Sequence, residues 1–385
     1  MQSSASAGPS WAEWIRAAAA IIVITAASTV VMGTLPLLNG LFAEHLRLDW
    51  RDLGWLGTAA QSGTLLGTLL GYWLIGRGVL QGGLRLGASC AAIAWLFAAT
   101  AATFGSLVAA RLVTSIGLGC VFSIGTYAIA HTPHPARSFS VMGGMQLVLG
   151  SIHAAVLPTI RAHFGYTIAI ASIVVWFVFV LFLTRWFSRA ELSAQPTALG
   201  SATSVSPRSS PFAGVELLLS ILAFHMAAVT FWGYSERIAT SAGLSQQEIA
   251  SAVSLGSLGG VPASILGALV ADRFGYLPLL LLATLAAVSG EFAMVHAHSV
   301  VPYLVGQFVF NFGWVLGVSY YLALLARRAV DARVIRAAPI ALVLAGIFGP
   351  LSIALFSGRD NSTLLLSLSL ALSGVAIVPV LIRRA

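Results

Sequence analysis

The chain has 385 residues, of which 58% are hydrophobic and only 8% charged, with a net charge of +8. That balance excludes an ordinary soluble globule, and the excess of positive charge is carried entirely by arginines. Their positions argue against nucleic-acid binding: they cluster between apolar stretches, on alternate sides of what reads as a membrane protein.

A spanning helix needs about 20 largely apolar residues, and twelve such stretches follow one another. They run over 15–40, 50–76, 82–103, 105–131, 139–161, 166–187, 213–236, 246–271, 276–297, 300–326, 335–357 and 362–382. The first is too long for a signal-peptide core and is read as a retained helix. Between the sixth and seventh stretches, residues 188–212 are rich in Ser and Pro, the composition of a linker. The expected organisation is an N-terminal six-helix bundle over 1–187, a cytoplasmic linker over 188–212 and a C-terminal six-helix bundle over 213–385.

With the N-terminus placed inside, fourteen arginines fall on the inner side, among them Arg77, Arg85, Arg137, Arg185, Arg273 and Arg327. Arg47, Arg51, Arg161, Arg237 and Arg359 fall outside, and Arg111 falls within a span. This positive-inside bias puts both termini in the cytoplasm. The expected location is a bacterial inner membrane, as a multi-pass protein.

An offset of 196 residues lays one half over the other. Asp49 and Asp52 fall on Ser245 and Glu248, Gly71 and Arg77 on Gly267 and Arg273, Gly117 on Gly313, and Gly150 on Gly346. A hydroxyl or carboxylate followed three residues later by an acid is the spacing of a helix-capping box, so these four acidic and hydroxyl residues are read as caps. Two similar bundles joined by a linker can rock about a site between them, the arrangement of secondary transporters.

Several motifs sharpen that expectation. Gly267-Ala-Leu-Val-Ala-Asp272-Arg273-Phe-Gly275-Tyr276, between the eighth and ninth stretches, resembles the cytoplasmic signature loop of the major facilitator superfamily (MFS). Its first-half copy keeps Gly71 and Arg77 but has Gly76 where the acid would stand. Arg111-Leu-Val-Thr-Ser115-Ile-Gly117-Leu-Gly119 resembles that family's arginine-and-glycine motif on the fourth helix. The Gly-Pro signature of antiporters is missing from the fifth helix, and a Gly349-Pro350 pair occurs on the eleventh instead. The resemblance implies an all-α, twelve-helix integral membrane fold with 6+6 pseudo-twofold symmetry. It also implies a conformational latch at Gly267, Asp272, Arg273, Gly275 and Arg77, and a cavity lined mainly by the first, fourth, seventh and tenth helices.

On those helices and their neighbours the candidate substrate-binding or coupling residues are Arg111, His225, Asn311, Gln307, His153, Gln146, Gln61, Trp232, Tyr320 and Tyr321. A charged Arg111 several residues inside a span needs a partner or a wet cavity. His225 and His153 are candidate proton carriers, because imidazole titrates near neutrality. Glu236 and Arg237 are expected to form an interfacial ion pair, and Glu291 a tie to His296 or a carboxylate reaching the headgroups. The expected centre holds Arg111 and neutral hydrogen-bonding groups, which favours an anionic or neutral organic solute over a cation.

No His-Glu-x-x-His, nucleophile motif or metal-ligand cluster occurs, so an enzyme, a cofactor and a bound metal are not expected. The expected function is alternating-access transport of a small organic solute with proton coupling, by a monomer in a lipid bilayer. The alternatives are a drug or metabolite efflux antiporter and a non-transporting sensor built on a transporter fold.

Overall fold

The computed structural model describes residues 11–132, 135–186, 214–270, 275–328, 332–358 and 361–382. Among them are fifteen α-helices: α1 (Trp11–Ala27), α2 (Val30–Gly33), α3 (Leu35–Leu46), α4 (Trp50–Gly76), α5 (Leu80–Ala99), α6 (Phe104–Ala130), α7 (Pro135–Ala171), α8 (Val174–Leu183), α9 (Val215–Ser241), α10 (Gln246–Ser257), α11 (Gly260–Val270), α12 (Tyr276–Val295), α13 (Val300–Arg328), α14 (Ala332–Phe356) and α15 (Asn361–Ile382). The linker expected over 188–212 lies outside the described residues. Among the described residues nine spans are long and apolar enough to cross a membrane. Leu66, Leu69, Phe97 and Val175 are each more than half exposed, as side chains that face lipid would be.

The remaining stretches are helical but interrupted or less apolar. The first divides into α1, α2 and α3 because Thr25, Ser28, Thr29 and Thr34 turn their hydroxyls onto carbonyls three or four residues back, at 2.7–2.9 Å. Such back-bonding bends a helix, and Pro36, lacking an N–H, starts the next piece. The fifth and sixth stretches join in α7, broken where Gly165 takes φ 78° and ψ 179°, a conformation L side chains rarely adopt. The second stretch is the 27-residue α4, whose apolar run is diluted by Thr58, Gln61, Thr64 and Thr68.

The 196-residue repeat is visible in the packing. Asp49 with Asp52 and Ser245 with Glu248 both close full capping boxes, at the starts of α4 and α10. A methyl group on Gly63 of α4 would strike the Leu112 carbonyl of α6, and one on Gly259 would strike that of Phe308 on α13. Gly117 lies against Gly87 and Ala91 of α5, and Gly313 against Ala283 and Ala287 of α12. Every one of these pairs is related by the same offset, so the small residues fix equivalent helix crossings in both halves. Between the halves, α3 packs on α9, α4 on α14, and α7 on α10 and α11.

The candidate cavity

A cavity of about 570 Å³ lies between the halves, within the range of small-molecule sites. α7 supplies Phe139, Gly143, Gln146, Leu147 and Ser151; α9 supplies His225 and Trp232; α13 supplies Asn311, Trp314, Val315, Val318, Ser319, Tyr320 and Ala323. Met32 and Gly33 of α2, Ser257, Ala263, Ser264 and Gly267 of the eighth span, and Tyr276 complete it. None of these is an acid, a lysine or an arginine. Tyr276 opens α12, so the cavity reaches the end of the molecule where Trp186 and Gly214 lie.

The opposite end is sealed by one stretch of α9. Trp232 donates its indole N–H to the Met32 carbonyl at 2.9 Å, and Asn39 donates to the Gly233 carbonyl at 2.8 Å. Tyr234 donates to the Trp50 carbonyl at 3.2 Å, and its ring stacks on that of Trp50 at 5.1 Å. Arg237 donates to the Gly40 carbonyl at 3.3 Å. A Cβ on Gly40 would overlap the Glu236 carboxylate and have to push it from its place. That carboxylate is 1% exposed and accepts from Arg237 at 3.0 Å, Thr240 at 2.8 Å and Gln246 at 3.1 Å. The ion pair of Glu236 with Arg237 is therefore present, in the seam between the halves. Arg161 and Glu44 form a second ion pair at this end.

Within the cavity His225 and Trp314 form a unit. The Trp314 indole, which can only donate, gives its N–H to His225 Nδ1 at 3.1 Å. That assigns the imidazole proton to Nε2 in the neutral ring. Trp314 lies 6.2 Å from Trp232 and 5.7 Å from Phe310, so an aromatic cluster floors the cavity at the sealed end.

The other candidate residues divide. Gln146, Asn311, Trp232, Tyr320 and His225 share the cavity wall. Gln307 is fully buried behind it, donating to the Tyr303 hydroxyl at 2.9 Å. Gln61 sits in the seam of α4 and α14, against Gly346. Tyr321 is buried against Phe224 of α9, at 5.4 Å. His153 accepts from the Trp176 indole at 3.1 Å and faces the sixth span. Arg111 is 4% exposed with its guanidinium 4.9 Å over the Trp95 ring, and its Nε and Nη1 have no hydrogen-bond partner.

The fourth span, α6, contributes no lining residue. Its Gly119 and Gly125 press on Thr64 of α4 and Thr25 of α1. Glu291 neither reaches the headgroups nor ties to His296. It is 1% exposed inside the second half, while His296 stacks on Phe292 and lies 2.9 Å from that residue's carbonyl. Trp314 was not among the expected residues; the signal for it was its place three residues beyond Asn311, on the same helix face.

Of the expected latch, Asp272 and Arg273 lie outside the described residues. Gly267 accepts from the Tyr320 hydroxyl at 3.0 Å. Gly275 precedes α12 with φ 70°, and Arg77 ends α4 with its guanidinium 3.8 Å over Trp73. Among the described residues no three of His, Cys, Asp and Glu converge as metal ligands.

A family profile described as Major Facilitator Superfamily matches residues 17–350. The chain belongs to that superfamily. The MFS fold is shared with solved transporters at low identity. The inward-open xylose transporter XylE from E. coli superposes with a TM-score of 0.68 at 15% identity, over 96% of this chain and 95% of its own. A mutant of the nucleoside transporter NupG superposes at 0.73 and 11%, over 95% and 97%. A bacterial homologue of the lysosomal transporter Spinster, inward-facing and unoccupied, gives 0.64 and 13%, over 97% and 96%. No curated protein matches the chain in sequence. The MFS chain is thus a multi-pass integral membrane transporter and not an enzyme.

Proposed function

We propose that the protein carries an uncharged small organic solute across the bacterial inner membrane by alternating access, coupled to protons at His225. The observation that carries this reading is the cavity wall, which among the described residues has no charged side chain. An ionic solute there would lose its hydration without a counter-charge, at a cost of several kcal/mol. Arg111, which motivated an anionic solute, lies over Trp95 and not on the wall.

The arginine bias supports placing the open end and both termini in the cytoplasm. In that orientation the conformation described here is inward-facing, sealed on the outside by α9. His225 suits the coupling role because it is the histidine on the wall, and a proton added at Nδ1 must displace the Trp314 hydrogen bond. Trp314 packs on Trp232, which holds Met32 of the other half, so a protonation event has a short path to the seal. The latch at Asp272 and Arg273, with Arg77, is proposed to bias the same equilibrium from the cytoplasmic side. The monomer is the proposed working unit.

The test is uptake into proteoliposomes of a neutral solute panel with and without an imposed proton gradient. Gradient-driven accumulation of a neutral solute is the expected result. Accumulation of organic anions or cations alone would overturn the proposal.

A further inference from the structure

We propose that the cavity receives a flat, uncharged ring compound with hydrogen-bonding groups on opposite edges. This rests on the transporter reading above and names the substrate class of that site. The wall is unusual in which of its polar groups are still free to bind. Both tryptophan N–H groups are already spent, Trp232 on Met32 and Trp314 on His225, and since Trp232 is 2% exposed the ring surface left to a ligand is chiefly that of Trp314. Of the four lining serines, Ser257, Ser264 and Ser319 donate to carbonyls of their own helices, at 2.6, 2.9 and 2.8 Å.

Ser151 is the exception. It is 6% exposed and lines the cavity, and its hydroxyl oxygen, closed off from the open space, has no hydrogen-bond partner. A buried hydroxyl left unpaired is costly, and a turn about χ1 into the cavity would let a bound polar group relieve that cost. Gln146 stands five residues earlier on the same helix, with an amide that both donates and accepts. On the opposite half, Asn311 spends one amide N–H on the Gln307 carbonyl and keeps the second N–H and Oδ1, while His225 offers Nε2–H. The remaining polar groups therefore come from both halves, Gln146 and Ser151 from the first and Asn311 and His225 from the second, and the Trp314 indole lines the same cavity.

That pattern suits a planar heterocycle carrying amide-like donors and acceptors at both ends, its face against Trp314. A polyol fits it poorly. A sugar presents hydroxyls all round its ring, whereas Met32, Phe139, Leu147, Val315 and Val318 make much of this wall apolar. A charged ring lacks a counter-ion.

The experiment uses the full-length purified protein, following tryptophan quenching and thermal stabilisation. The probes are uracil and nicotinamide as neutral rings, xylose as a polyol, benzoate as an anion and tetraphenylphosphonium as a cation. Saturable quenching by at least one neutral ring probe is expected. Ser151→Ala, Gln146→Leu and Trp314→Leu should each weaken it by about tenfold or more, while Trp314→Phe, which keeps a ring, weakens it less. Stabilisation by xylose, benzoate or tetraphenylphosphonium alone overturns the proposal, as does binding by neither ring probe, or ring binding indifferent to all four variants. Uptake of the same probes separates the two readings. Xylose transport without ring binding would sink the ring assignment and spare the transporter. Ring binding with no transport of any probe would do the reverse.

Discussion

His225 holds its proton on one nitrogen while Trp314 donates to the other, which makes the pair a two-position device rather than a free imidazole. Glutamine in its place can keep a polar contact with Trp314 but cannot gain a proton. In His225→Gln, counterflow exchange of substrate should persist while proton-driven accumulation is lost, as measured in proteoliposomes. Accumulation at the wild-type level would show that the proton is carried elsewhere. Arg111 poses the reverse problem, a buried cation whose Nε and Nη1 are unpaired in this conformation. Inserting such a group costs roughly 2.5–3.5 kcal/mol on membrane-insertion scales, a cost that makes sense if the arginine gains a partner at another stage of transport. Arg111→Met, similar in length and apolar, should leave the thermal midpoint equal or higher and cut transport by about tenfold or more. A fall in midpoint with transport intact would instead make Arg111 a tie to Trp95.

At the scale of elements, the two capping boxes are equivalent parts of the repeat and can be tested as such. Asp49→Ala and Ser245→Ala should each lower stability by about 1 kcal/mol. Because the boxes start different helices in different halves, the double variant should show the sum within about 0.5 kcal/mol. A thermal or denaturant series on the three variants decides this, and a strongly non-additive result would mean that the halves do not act as independent repeats. These caps, the helices and the glycine crossings were legible in the sequence because lipid forces every backbone polar group into a helix, and the ends and crossings of helices need particular residues. The wall was less legible. A span apolar on every side has no polar stripe to show its rotation about its own axis, so nothing in the sequence told that Arg111 turns to Trp95 or His153 to Trp176. The break after Gly33 was equally hidden, since it arises from hydroxyls bonding back to carbonyls within an apolar run.

For the whole molecule, what matters is how strongly the seam at the sealed end is held. Trp232, Tyr234 and Arg237 donate across it and Asn39 donates back, all within six residues of α9. At about 1 kcal/mol for a typical hydrogen bond, the set contributes a few kcal/mol. That matches the scale on which a ligand's differential binding can shift a two-state equilibrium, since moving from 1:99 to 99:1 takes about 5.5 kcal/mol. A seam much stronger than this would trap the protein facing one way; a much weaker one would not hold it closed. Trp232→Phe keeps the ring that packs on Phe310 and Trp314 and removes only the bond to Met32. It should therefore raise the outward-open population by about fivefold, the equivalent of 1 kcal/mol. The readout is labelling of a cysteine at Leu37→Cys, which lines a hollow with Arg161 and Gln246 at the sealed end, by an impermeant thiol reagent in a background lacking Cys90 and Cys120. Faster labelling in Trp232→Phe, with a matching loss of apparent affinity for solute from the cytoplasmic side, is the expected pair of results. Equal labelling rates would mean that Trp232 lines the cavity without holding the seam, and that the halves are kept together by Asn39, Tyr234 and Arg237 alone.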